Sequence, residues 1–406
     1  MAVTGLGVVS PLGNGAEAFF AALAAGRSGV RRIEADFAAR LNCRVAAPVT
    51  IDAAAHFPPQ KLRMLDRVSQ LALVAAAEAI AHSEGALAGL APHRAGVFVG
   101  TGLGGSQTTD QGYMTLYGEK SDRLKPMSVL MAMANAPAAW IGIEHGLTGP
   151  NLTFSTACSS SAVAIGEAAK RIARGEADVM IAAGAEAPLT FGTMKAWDAL
   201  KTMATEDARG PSAACRPFSR DRSGLVLGEG AAVVVLESRE RADARGARVL
   251  AEVGGYGLCT DASHITRPSV EGQARAMRLA LEDAAISPGD VGYINAHGTG
   301  TQVNDAVETA AIRQVFGDRA DATPVSSTKS MHAHLLGAAG ALEFVAAVMA
   351  MRAGILPPTM HLDNPDPECD LDYVPLAARR VGLLGAVMSS SFAFGGTNAV
   401  LVARAS

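Results

Sequence analysis

Residues 151–186, NLTFSTACSSSAVAIGEAAKRIARGEADVMIAAGAE, decide the fold class. The first seven read as a strand. Ser159, Ser160 and Ser161 then open a helix of small and aliphatic side chains, predicted over 159–174, and a short wholly apolar run follows at 179–183. Apolar runs without polar alternation, joined by a long helix, indicate strands buried on both faces. Outward from this segment the reading repeats. Strands are predicted at 95–100, 231–236, 291–296, 324–327, 387–390 and 399–402, and helices at 63–83, 270–285, 305–316 and 337–352. The expectation is an α/β protein with parallel strands covered on both faces.

Composition agrees with a large core. Of 406 residues 49% are hydrophobic and only 18% charged; glycines number 43 and aromatics are 5%, so elements pack through small side chains. A net charge of −4 asks for neither nucleic acid nor an anionic membrane, although a local basic patch could receive an acidic protein partner. The five cysteines (Cys43, Cys158, Cys215, Cys259, Cys369) are scattered and form no CxxC pair, which points away from disulfides and zinc and toward a reduced cytoplasm. The N-terminus reads as a strand, with no signal peptide expected. The apolar stretch 338–350 is interrupted by Glu343 and is expected to be too short for a bilayer.

The chain also echoes itself. Val3-Thr4-Gly5-Leu6-Gly7 resembles Val253-Gly254-Gly255-Tyr256-Gly257; each half then has a strand entering a Gly/Thr loop, a Ser-Thr segment leading to an Ala-rich helix, and a closing strand. Two similar α/β halves joined near 240–250 are expected, with chance similarity as the alternative.

Four places carry candidate chemistry. Cys158 lies at a strand-to-helix turn, where free N–H groups would favour a thiolate and could hold an oxyanion; a lone cysteine is otherwise a small buried hydrophobe. His297 ends an apolar strand before Gly298-Thr299-Gly300-Thr301, where α/β proteins place ligands, although a surface-loop histidine would look the same. His334 precedes a helix of very small residues, whose dipole would keep it neutral; it could equally be a capping histidine. Lys329 and Glu343 are plausible supports for it, and His332 reads as peripheral. Ser391-Phe392-Ala393-Phe394-Gly395-Gly396-Thr397-Asn398 has the wrong spacing for a phosphate loop and suits an oxyanion-holding N–H beside a movable ring.

Together and in this order, these motifs resemble the 3-oxoacyl-[acyl-carrier-protein] synthase family of the thiolase superfamily, nearest the synthase II type. Thr156-Ala157-Cys158-Ser159-Ser160, Ala182-Ala183-Gly184-Ala185-Glu186, Asn295-Ala296-His297-Gly298-Thr299, Ser327-Thr328-Lys329-Ser330 and Phe394-Gly395-Gly396-Thr397-Asn398 carry the likeness, which spans essentially the whole chain. The resemblance implies a thiolase-like fold, two pseudo-repeated halves (1–245 with the cysteine, 246–406 with the histidines) in a five-layered α-β-α-β-α sandwich. It implies an acyltransferase that loads an acyl chain on Cys158 and extends it by decarboxylative Claisen condensation with malonyl-acyl-carrier protein. His297 and His334 would hold the enolate, Lys329 and Glu343 would order the site around His334, and Phe394 would gate it. Thr299, Thr301 and Thr266 would bind the phosphopantetheine arm, and Leu103 would limit the acyl pocket. No metal and no cofactor beyond that carrier arm is implied. Partners would be acyl-carrier protein, acyl and malonyl thioesters, and a second subunit: a homodimer, or the active half of a heterodimer in a specialised pathway. A thiolase-type acyltransferase needs a second active-site cysteine. A Cys-His-Asn trio using Asn398 is a second rival, and a non-catalytic partner subunit, of a kind that lacks the nucleophilic cysteine this chain keeps, is a third.

Departures from the family pattern are Ala333 and Ala393 at usual glycines, Asn304 for the glycine before Asp305, and Ser223 and Leu225 for an Asp and a Phe. Side chains at glycine positions restrict the backbone, which bears on gating and acyl specificity.

Overall fold

The computed structural model describes residues 1–406. Ten strands form its frame: β1 Ala2–Ser10, β2 Ala95–Gly100, β3 Asn151–Phe154, β4 Val179–Glu186, β5 Gly230–Glu237, β6 Ala251–Thr260, β7 Val291–Asn295, β8 Val325–Ser326, β9 Ala386–Phe392 and β10 Thr397–Arg404. Six helices cover them: α1 Arg67–His82, α2 Ala136–His145, α3 Ser160–Ala173, α4 Val270–Asp283, α5 Gln302–Phe316 and α6 Ala339–Ala353.

The first five strands are ordered β3-β2-β4-β5-β1 and the second five β8-β7-β9-β10-β6. Counted from the start of each half, both orders are third, second, fourth, fifth, first. Directions repeat as well. β2 is parallel to β3 and β4, while β5 is antiparallel to β4 and β1. β7 is parallel to β8 and β9, while β10 is antiparallel to β9 and β6. The sheets are therefore mixed, where strand patterning alone predicts parallel ones. Strands β9 and β10 are joined by a tight turn in which Gly395 and Gly396 have φ 89 and 78, and so short a connection permits only antiparallel pairing. The two sheets meet where Ala2 and Val3 pair with Glu252 and Ala251.

Helices α3 and α6 pack between the sheets and touch each other and strands of both halves. Helices α1 and α2 cover the outer face of the first sheet, and α4 and α5 belong to the outer face of the second, giving five layers. The largest apolar cluster lies in the middle layer, where Phe98, Ile165, Val234, Leu342, Val387 and Leu401 interlock. A helix apolar on all sides needs burial on all sides. The 18 residues Leu336–Ala353 are long and apolar enough to cross a bilayer, with mean hydropathy 1.5, longer than the sequence reading allowed; 83% of them are buried between the sheets.

The glycine echo has a steric cause. A Cβ on Gly7 would sit 2.0 Å from the carbonyl oxygen of Ala75 on α1, and one on Gly257 would sit 2.0 Å from that of Ala276 on α4. Each half thus uses a bare strand to bring its outer helix into backbone contact. The charged stretch between the halves forms a short helix, Arg239–Ala244, capped by Ser238.

Gly257→Val is expected to destabilise the protein by about 1–3 kcal/mol, because the added carbons must push α4 off its sheet. An unchanged denaturant midpoint would contradict that close packing.

Candidate active site

The chain leaves β3 at Phe154 and makes one tight turn, Ala157–Ser159, before α3 begins. Ala157 at φ 50 supplies the sharp bend. The local serines satisfy polar groups that the turn frees: Thr156 N–H donates to Ser160 Oγ at 2.9 Å, and Ser159 Oγ donates to the Thr156 carbonyl at 2.9 Å. Cys158 sits at the bend, buried. Burial pushes its thiol up to about 12, and the Lys329 charge and the Phe394 N–H offset this only in part. The sequence reading expected the helix end to lower it. Loss of water around the sulfur outweighs a partial helix charge, so the resting group is a thiol.

His297 follows β7. Its N–H and that of Gly298 each donate to Glu308 on α5, both at 2.7 Å, which fixes the loop. Lys329 Nζ donates to the His297 carbonyl at 2.5 Å, lies 3.3 Å from Nδ1, and is ion-paired with Glu343. Lys329 and Glu343 are fully buried. They brace His297, whereas the family resemblance had them ordering the site around His334.

His334 is anchored through its backbone, donating to the Val226 carbonyl and accepting from Gly228 N–H. Leu336 N–H donates to its Nδ1 at 3.2 Å, and its Nε2 faces Cys158 Sγ at 3.0 Å. Each imidazole has an N–H donor aimed at Nδ1, so the hydrogen-bond network assigns the ring proton to Nε2 in both. Burial, followed by the Lys329 charge, lowers both well below the usual histidine value, so both rings are neutral. The rings meet edge-to-face at 85° with centroids 5.3 Å apart. Cys158 Sγ and one nitrogen from each histidine all lie within 4.8 Å of one another, close enough to share a soft cation as well as a substrate.

These groups open on a cavity of about 370 Å³, which Thr299, Thr301, Thr266, Ser223, Leu225, Asn304, Asn398 and Phe394 also line. Thr299 and Thr301 share a hydrogen bond of 2.9 Å, and Thr266 is exposed at the rim. The Phe394 ring stacks on Trp197 at 6.0 Å and 19°. Leu103 does not line this cavity: it is 42% exposed, and its N–H donates to Glu186. None of the other four cysteines lines it either, so no second thiol is available for thiolase-type chemistry. Asn398 donates to Asp261 at 2.6 Å instead of completing a Cys-His-Asn trio.

Of the departures, Ala333 adopts φ 62, while Ala393 stays out of the left-handed region and Asn304 is an ordinary helical residue. Sequence reasoning missed Glu308, Trp197 and the carboxylate of Glu186, which gathers N–H groups of Gly102, Leu103 and Gly337. The acid at position 308, three residues after Asp305 on a helix that follows the His297 loop, was the signal available. His332, read as peripheral, is fully buried.

A family model described as "Beta-ketoacyl synthase, N-terminal domain" matches residues 1–242, and its C-terminal counterpart matches residues 250–363. The chain belongs to the beta-ketoacyl synthase family. Among relatives of this synthase, "Nodulation protein E" of Rhizobium leguminosarum bv. trifolii is 44% identical over 404 residues, covering 99% of this chain and 98% of the relative. The "3-oxoacyl-[acyl-carrier-protein] synthase 2" of Staphylococcus aureus is 40% identical over 403 residues, covering 98% and 99%. The solved structure "The ishigamide ketosynthase/chain length factor" superposes with TM-score 0.93 at 35% identity, covering 100% of this chain and 98% of that one.

A buried thiol of high pKa makes a kinetic prediction for this synthase. Alkylation of Cys158 by iodoacetamide should rise about tenfold per pH unit from 6 to 9 without a plateau. A plateau near neutrality would reveal a thiolate–imidazolium pair and contradict the neutral site.

Proposed function

We propose that this synthase catalyses decarboxylative Claisen condensation between an acyl thioester and malonyl-acyl-carrier protein, with Cys158, His297 and His334 as its reacting groups. The observation that carries the assignment is the convergence of one buried sulfur and two neutral imidazoles in a single cavity.

In the first half-reaction the Cys158 sulfur attacks the acyl carbonyl while the N–H groups of Cys158 and Phe394 hold the oxyanion. The carrier's C–S bond breaks, and the thiol proton passes to the departing pantetheine sulfur. In the second, the malonyl thioester oxygen accepts from His297 and His334. The carboxylate leaves as carbon dioxide, its bond pair forming an enolate held by the same donors. The enolate carbon bonds to the acyl carbonyl carbon, the bond to Cys158 breaks, and one proton from solvent restores the thiol. Decarboxylation needs no general base, so no carboxylate must touch either imidazole. The ion pair of Lys329 and Glu343 supports His297 instead.

Thr299, Thr301 and Thr266 suit the amides and hydroxyl of a phosphopantetheine arm, which is the only carrier group the reaction requires. Phe394 would gate the sulfur, a role that its position on a turn lining the same cavity supports. The edge strand β3 and exposed Ile143, Leu152 and Val129 suit a second, similar subunit. Leu103 lies beside that edge and would meet an acyl chain only in such a dimer. The ketosynthase/chain length factor likeness favours a heterodimer as the second reading, with this chain as the active member. Free thiols throughout fit a cytoplasmic setting.

Cys158→Ala should fold yet show no acyl adduct by intact-protein mass after incubation with acyl-carrier protein. An adduct on another cysteine would overturn the assignment. His334→Ala should still acylate Cys158 but condense about 10²–10³ times more slowly, the usual cost of losing one oxyanion donor. Wild-type condensation in that variant would remove His334 from the mechanism.

A further inference from the structure

His332 takes no part in the steps above, yet it is hydrogen-bonded at both ring nitrogens. Nδ1 lies 2.7 Å from the Ala333 carbonyl oxygen, and Nε2 lies 2.9 Å from Thr328 Oγ1. That hydroxyl accepts from Asn295 Nδ2 at 3.3 Å. Its single proton is then free to go to His332 Nε2, which leaves the ring proton on Nδ1, donated to Ala333. Burial, with the Lys329 charge, lowers His332 to about 3, so the ring stays neutral and the direction of this relay is fixed.

The group that receives the bond is strained. Ala333 has φ 62 and ψ −169, a region that glycine enters freely and other residues do not. Its methyl group belongs to a buried apolar cluster that includes Val30, Val45 and Ala47. The next residue is His334, fastened by its backbone to Val226 and Gly228. The Ala333 carbonyl belongs to the peptide that joins the strained residue to the imidazole facing Cys158.

We propose that His332 is a positioning residue whose Nδ1–H clamps the Ala333 carbonyl, holds a glycine-type backbone on an alanine, and so aims His334 Nε2 at the reacting carbonyl. This rests on the role assigned to His334 above. Without the clamp the alanine relaxes toward ordinary φ, the peptide turns, and the imidazole moves. Displacements of about 1 Å in such a group lower rates by about 100-fold. Acylation depends on Cys158 and its oxyanion donors, so it does not need the clamp.

The test separates the two half-reactions in single-turnover assays of the full-length enzyme: acyl transfer to Cys158 read by mass, then condensation with malonyl-acyl-carrier protein. His332→Leu fills the space without a donor, and His332→Asn keeps a donor near the position of Nδ1. The leucine variant should acylate within about twofold of wild type and condense about tenfold or more slowly. The asparagine variant should lose less than about threefold. Adding Ala333→Gly to His332→Leu should recover most of the lost condensation, because glycine holds this backbone without help. The clamp is refuted by wild-type condensation in the leucine variant, by parallel loss of acylation, or by a double variant as slow as the single. If the leucine variant does not fold, the asparagine variant decides by the same threefold limit. Wild-type enzyme that never acylates Cys158 would sink the reading of the site and the clamp with it, an outcome distinct from those above.

Discussion

Desolvation of one sulfur and two imidazoles in one small space governs this structure. Water removed from Cys158, His297 and His334 drives the thiol up and both imidazoles down, so the site rests with no charge on any of them. An uncharged site can hold an apolar acyl chain, and its fixed N–H dipoles gain strength where no water competes. The charge beside it, Lys329, is ion-paired with Glu343, whose carboxyl burial pushes up while the Lys329 charge pulls it back down. Buried ion pairs seldom stabilise a fold, so the placement of this pair against His297 is better explained by the site than by stability.

The duplicated architecture brings these atoms together. Cys158 lies between β3 and the central helix α3, and His334 lies between β8 and the central helix α6, the equivalent place in the other half. His297 follows β7 as Thr101 follows β2 in the first half. Because α3 and α6 pack against each other, their N-terminal turns converge, and one half presents the sulfur to the imidazoles of the other. The middle layer is thus both the core and the floor of the active site. The largely apolar helix α6, whose span would suit a membrane by length and composition, is what such a layer demands.

Much of this was legible because it is local. The 151–186 segment announces strand, turn and helix by its own pattern, and the paired glycines of β1 and β6 mark where outer helices touch bare backbone. What depends on distant residues was not legible. Cys158 reads as a thiolate from its turn, but its acidity is set by burial that a second half supplies. Lys329 reads as a support for His334 because they are neighbours in sequence, yet its ammonium group reaches back to the end of β7. His332 shows its partners only when Thr328 and Asn295 are in place. Leu103 reads as a pocket residue from the family resemblance, yet it does not line the cavity. Mixed sheet direction follows from the family resemblance but not from the strands' own pattern, because apolar runs carry no sign of direction.

The claim at the centre is that both imidazoles of the proposed site, His297 and His334, are neutral and carry their proton on Nε2. Nitrogen NMR of ring-labelled histidine in the intact enzyme tests it directly, since the chain has only nine histidines to assign and His297→Ala and His334→Ala identify the two. At pH 7 each should show one protonated Nε2 and one unprotonated, hydrogen-bonded Nδ1. An imidazolium signal from either residue, or a proton on Nδ1, would contradict the account.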